Sequence, residues 1–141
     1  MKLSTKGRYA LEGMFYIALQ PPSCVVNTRE IAKETGITLS YLEQIFFLLK
    51  KSGLLVTERG AAGGFRLALP AEQVTAGMVV RAIEGDLAPV PCIQSLNACR
   101  SKIRGTCVSR SVWIALDQAI GSVLDSLTLA DLAAEFREGS V

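Results

Sequence analysis

The 141-residue chain contains no histidine. That removes the commonest general base and the commonest neutral metal ligand together, so His-dependent catalysis is excluded. No apolar run approaches the roughly 18 residues of a membrane span. The opening stretch MKLSTKGRYALEG carries early charges and no uninterrupted apolar segment, so it does not read as a secretory signal. The expectation is a cytoplasmic protein with no membrane association. Internal repeats and low-complexity tracts are missing too. Gly60-Ala61-Ala62-Gly63-Gly64 is glycine-rich but lacks the Lys-Ser/Thr that completes a phosphate-binding loop. With neither a histidine nor such a loop, the chain is not expected to be an enzyme.

Cysteine is sparse, with Cys24, Cys92, Cys99 and Cys107 the only four. A disulfide framework is not expected in a cytosolic chain, and the crowding of three of them into one short stretch calls for another explanation.

Half of the residues are hydrophobic, enough for a packed core and too many for wholesale disorder. The net charge of +2 identifies no partner, but it is unevenly spread. Residues 1–70 carry nine Lys/Arg against five Asp/Glu, and residues 71–141 carry six against eight. A basic front and an acidic back suit a polyanion-binding domain followed by a different unit.

Periodicity predicts a first helix over Ser4–Gln20, ended by Pro21-Pro22. A second opens at Asn27, with Glu30 placed to complete a capping box, and stops at Gly36. A short turn leads to a third helix over Leu39–Ser52. The period then changes: Leu54–Arg59 and Phe65–Leu69 are strand candidates around a glycine-rich tip. Helix, short helix, turn, helix, hairpin is the order of a winged helix-turn-helix. Further helices are predicted over Thr75–Glu84, Val108–Leu127 and Leu129–Arg137, the last with Thr128 and Asp131 as a capping box. The fold class is mainly α with a small β-hairpin wing and a long C-terminal dimerisation helix. The expected organisation is a DNA-binding unit (1–84), a cysteine-containing loop (85–107) and a dimerisation segment (108–141).

The short turn leaves the start of the third helix projecting, with Thr38, Ser40, Tyr41, Glu43, Gln44 and, further on, Lys51 exposed. Ser and Gln hydrogen-bond base edges, Gln pairs with adenine, and Glu accepts from cytosine. Ser40-x-x-Glu43 equally fits a plain capping box. In the hairpin, Arg59 precedes Gly60 and Arg66 follows Gly64. Arginines beside a flexible glycine turn suit a narrow minor groove, or they are simply solvated.

The strings LSTKGRYAL (3–11), SYLEQIFFLLKKSGLL (40–55) and RGAAGGFRLA (59–68) resemble the IscR/NsrR/CymR family of bacterial winged-helix regulators, and the likeness spans essentially the whole chain. It implies that Ser40, Tyr41, Glu43 and Gln44 face the major groove of a double-stranded operator. It puts Arg59 and Gly60 at the wing tip in the minor groove and brings Lys2, Lys6 and Arg8 to phosphates. From their placement beside these elements rather than from the resemblance, Arg66, Thr28 and Thr38 are expected as further DNA contacts. It also implies a homodimer built on the long helix and a two-fold symmetric operator. The apolar positions Val112, Leu116, Ala119, Ile120, Val123 and Leu127 independently call for a partner surface.

The spacing Cys92-x6-Cys99-x7-Cys107 is not that of a zinc ribbon. It leaves open a larger thiophilic cofactor or redox-sensing thiols, beside the basic Arg100, Lys102, Arg104 and Arg110. The resemblance favours an iron–sulfur cluster, 2Fe–2S ahead of 4Fe–4S, sensing cluster status, oxygen or nitric oxide. In the cluster-assembly branch a histidine three residues after the third cysteine is the fourth ligand. Here Arg110 stands there, and a permanently protonated guanidinium cannot ligate. Other branches use a residue of the first helix, where Arg8 fails and Glu12, a turn on, is a candidate. Cys24 reads as an apolar filler. Two other readings remain: a cluster-free regulator of cysteine metabolism answering to a metabolite or protein partner, and a winged helix used only for protein interaction.

Overall fold

The computed structural model describes residues 3–100, 102–103 and 107–139. Lys2 and Arg104 lie outside them. The elements run α1 (Thr5–Leu19), α2 (Thr28–Thr35), α3 (Leu39–Lys51), β1 (Leu55–Glu58), β2 (Gly64–Leu67), α4 (Ala76–Glu84), α5 (Ser109–Ser126) and α6 (Leu129–Arg137). Short 3₁₀ turns lie at Ala71–Gln73, Pro91–Ile93 and Leu96–Ala98. This is the mainly α winged helix expected.

Helix starts follow side-chain caps. The Ser4 hydroxyl accepts from the Gly7 amide, Asn27 from Glu30, Thr75 from Met78 and Thr128 from Asp131, each satisfying a donor the helix itself leaves unpaired. The Thr128–Asp131 capping box forms in both directions. The one at Asn27 is half made: the Glu30 carboxylate turns away and accepts from the Tyr16 hydroxyl at 3.0 Å, tying α2 to α1.

One core holds the winged unit together. Ala10, Met14 and Ile17 of α1, Ile31 of α2, and Leu42, Ile45, Phe46 and Leu49 of α3 meet Leu54, Leu55, Val74 and Val79. Fully burying each large side chain stabilises by roughly 1.5–3 kcal/mol. Leu129 of α6 belongs to the same core. It is held there by the Ala76 amide donating to the Leu127 carbonyl and the Leu129 amide to the Val74 carbonyl, both at 2.8 Å. The chain thus leaves the winged unit after α4, runs through the cysteine loop and α5, and returns with α6.

The wing is an antiparallel pair in the register Leu55↔Leu67, Val56↔Arg66, Thr57↔Phe65 and Glu58↔Gly64. Val26 adds a one-residue third rung, exchanging two 2.8 Å hydrogen bonds with Phe65. A side chain at Gly64 would run into the Val26 carbonyl, so this approach of backbone on backbone needs glycine.

Candidate nucleic-acid interface and cysteine loop

Gly36 ends α2 in the left-handed conformation (φ 77°), and Ile37 anchors the turn in the core. Thr38 then enters α3 as its N-cap, with no side-chain cap bond. Ser40 is already inside the first turn, so the Ser40–Glu43 capping box does not exist and both side chains are exposed. The buried stripe is Leu42, Ile45, Phe46 and Leu49. At about 100° per residue, Ser40, Gln44, Phe47 and Lys51 lie opposite it, flanked by Glu43 and Lys50, and all six are exposed. Tyr41 sits at the edge of this face, half-buried, its ring edge-on to Tyr9 of α1 at 5.5 Å. Thr28 is half-buried at the start of α2, and Thr38 is exposed.

In the wing, Arg59 is exposed at the start of the hairpin tip, and Gly60 has φ 113°, which disfavours any L side chain. Arg66 is not at the tip. It lies along the hairpin, its Nε donating to Glu58 Oε1 at 3.0 Å and its Nη1 to the Leu67 carbonyl at 3.4 Å. Arg8 of α1 is exposed and Lys6 half-buried. The Ser4 amide donates to Glu84 Oε1 at 2.8 Å, fixing the start of α1 against the end of α4.

Sequence reasoning missed three residues here. Phe47 was hidden among apolar neighbours, although the helical wheel separates it from the buried stripe. Lys50 follows from the same wheel. Val26 contributes a single rung, too short to leave a pattern.

Cys92, Cys99 and Cys107 are all uncrosslinked and half-buried. Among the described residues, no three Cys, Asp or Glu side chains are gathered closely enough to hold a metal ion. Cys107 lies just ahead of α5. The Ser109 hydroxyl, 3.0 Å from its sulfur, lowers the thiol below its ordinary value, helped by the Arg110 amide and then by the Arg110 charge. A loop of free thiols, one of them acidified, has the donor chemistry a thiophilic iron cluster takes. Arg110 is half-buried with its Nε unpartnered, and Glu12 is exposed on α1. Cys24, half-buried beyond α1, lies outside the loop.

No residue of α5 is buried. Val112, Leu116 and Val123 are 57%, 41% and 59% exposed, and Ala119, Ile120, Val123 and Leu124 line an apolar hollow with Leu3 and Leu87. Arg81 of α4 clamps this helix through two bonds to Asp125, at 2.7 and 3.1 Å.

A family profile described as Rrf2, iron-dependent transcriptional regulator, matches residues 3–135. The chain belongs to the Rrf2 family. The HTH-type transcriptional regulator IscR of Aliivibrio salmonicida is 37% identical over 132 residues, 94% of this chain and 77% of that one. Among solved structures, IscR of T. potens has a TM-score of 0.80 at 33% identity, over 100% of this chain and 92% of that one. CymR, the global cysteine regulator of B. subtilis, has a TM-score of 0.81 at 34% identity, over 95% and 97%. This Rrf2 chain is therefore a DNA-binding transcription regulator of IscR-like type, in a family of regulators rather than enzymes. None of its helices is long and apolar enough to cross a membrane, among the described residues.

Proposed function

We propose that the chain is a cytoplasmic homodimeric regulator that reads a two-fold symmetric operator and whose affinity for DNA is set by an iron–sulfur cluster. The observation that carries the DNA half is the outward face of α3. Ser40 and Glu43 form no capping box, and with Gln44 they are exposed, as is Arg59 at the start of the hairpin tip. The α3 face suits the major groove and Arg59 and Gly60 the minor groove. Arg8, Lys6 and Lys2 are assigned to phosphates, with Thr28 and Thr38 at the helix starts. Tyr41, packed on Tyr9, positions the start of α3, and Arg66, bonded to Glu58, holds the wing's shape. The exposed apolar stripe of α5 is the dimer surface. In these terms the chain divides into a reading unit (1–84), a sensing loop (85–107) and a dimerisation segment (108–141), whose last helix packs back on the reading unit.

Cys92, Cys99 and Cys107 would hold the cluster, with Glu12 the candidate for a fourth ligand. The bound group would supply sensitivity to iron, oxygen or nitric oxide. The chain's part is to present thiolates, which Ser109 and the Arg110 amide favour at Cys107, and to hold α4, from which the loop departs, against Ser4 through Glu84 and against α5 through Arg81 and Asp125. Anaerobic purification followed by visible absorption and iron and sulfide analysis tests this. Brown, iron-containing protein that loses its colour when the three cysteines become alanine is expected. Colourless, iron-free protein whose operator affinity is unchanged by those substitutions contradicts it.

A second reading, a regulator of the same fold that senses without a cluster, is favoured by two observations: the loop cysteines are not gathered, and the likeness to CymR is as strong as that to IscR. The same measurement separates the two.

A further inference from the structure

Phe47 is 65% exposed, in the middle of the face of α3 opposite the core. Phe136, the other exposed phenylalanine, leans edge-on against Phe15 at 5.6 Å. Phe47 makes no such ring contact among the described residues. Its neighbours on the helix face are Ser40, Glu43 and Gln44 on one side and Lys50 and Lys51 on the other, all exposed. A protein-binding patch has an apolar core depleted of charge; here a single apolar ring is ringed by hydrogen-bonding and cationic groups. The major groove has the complementary make-up: hydrogen-bonding base edges, flanking phosphates and one apolar group, the C5 methyl of thymine.

We infer that Phe47 is a specificity-determining residue that reads a thymine by contact with its C5 methyl, next to the base contacted by Gln44. This rests on the placement of α3 in the major groove proposed above. It adds a position chosen by shape and burial rather than by hydrogen bonding. Lys50 and Lys51 serve the phosphates on either side.

The test uses the full chain and the duplexes it selects from random DNA. Each thymine of the selected sequence is replaced in turn by deoxyuridine, which removes the methyl and leaves the hydrogen-bonding edge intact. At one thymine per half-site the wild-type chain is expected to lose about fourfold in affinity, the worth of one buried methyl-sized group. Phe47→Ala is expected to bind the thymine and uracil duplexes equally well at that position, with an unchanged thermal unfolding midpoint because the ring is exposed. An equal thymine-to-uracil ratio in wild type and variant at every position overturns the inference, as does a loss spread evenly over all sequences. Gln44→Ala is measured in parallel. If it relaxes one base position while Phe47→Ala changes none, only the thymine contact falls. If neither variant alters the selected sequence, the placement of α3 in the major groove falls with it.

Discussion

The buried ring of Phe46 on α3 meets the ring of Phe65 in β2 edge to face, with centroids 5.0 Å apart. This contact joins α3 to the wing, the two elements proposed above to face DNA. Edge-to-face pairs contribute about 0.5–1.5 kcal/mol beyond the area they bury. Phe65→Ala is expected to destabilise the fold by about 2–3 kcal/mol and to weaken operator binding even in protein that remains folded. Denaturant unfolding and a binding titration check this. Full affinity in the folded variant would show that the wing orients independently of α3.

Gln44 is exposed on the face of α3 opposite its buried stripe. Its substitution by alanine should cost about 1–3 kcal/mol at one base pair per half-site if the amide makes a bidentate contact. Binding measured across single-base operator variants distinguishes this from a phosphate contact, which would weaken every sequence alike.

The Arg81–Asp125 bond links α4 to α5 across the surface. Hydrogen bonding from Arg81 holds Asp125 below the ordinary carboxylate value, aided by the guanidinium charge. A depressed carboxylate gives its stability above the unfolded value and loses it as pH falls through the folded one. Wild type should therefore be slightly more stable than Asp125→Asn at pH 7, by less than about 1 kcal/mol for so exposed a pair. The gap should close as pH drops below about 4. A gap that is no smaller at pH 2 than at pH 7 in thermal melts would contradict the assignment.

Cys107 is acidified by the Ser109 hydroxyl and the start of α5. Its alkylation by iodoacetamide should set in at lower pH than that of free cysteine, and Ser109→Ala should move the onset upward. Peptide mapping after timed quenching gives both profiles; identical onsets would remove Ser109 as the cause.

Much of the fold was legible because helix starts are written in short side chains. Ser4, Asn27, Thr75 and Thr128 announce their helices, and Gly36 its turn, since unpaired backbone donors and left-handed turns accept few residue types. The reading failed where tertiary contacts decide. Glu30 prefers Tyr16, a residue fourteen positions away, to its own helix start. Ser40 and Glu43 match a capping pattern, one of the two readings open to them, but α3 starts at Leu39 as expected with Thr38 as its N-cap, and the pattern goes unused. The return of Leu129 to the first core depends on its pairing with Val74, which no local pattern records. For the candidate site, residue types were readable and roles were not: Arg66 looks like a wing-tip arginine in the sequence and is an internal brace of the hairpin in three dimensions.

Whether α3 and the wing read DNA together is decided by hydroxyl-radical footprinting of the wild-type chain and of Arg59→Ala on a selected operator. Two symmetric half-sites are expected, each with the backbone protected on both sides of one major-groove segment and along a minor-groove flank. The flank protection and its A·T preference disappear in the variant, and the affinity of the wild-type chain falls steeply with salt. An Arg59→Ala footprint identical to that of wild type would contradict joint reading by α3 and the wing.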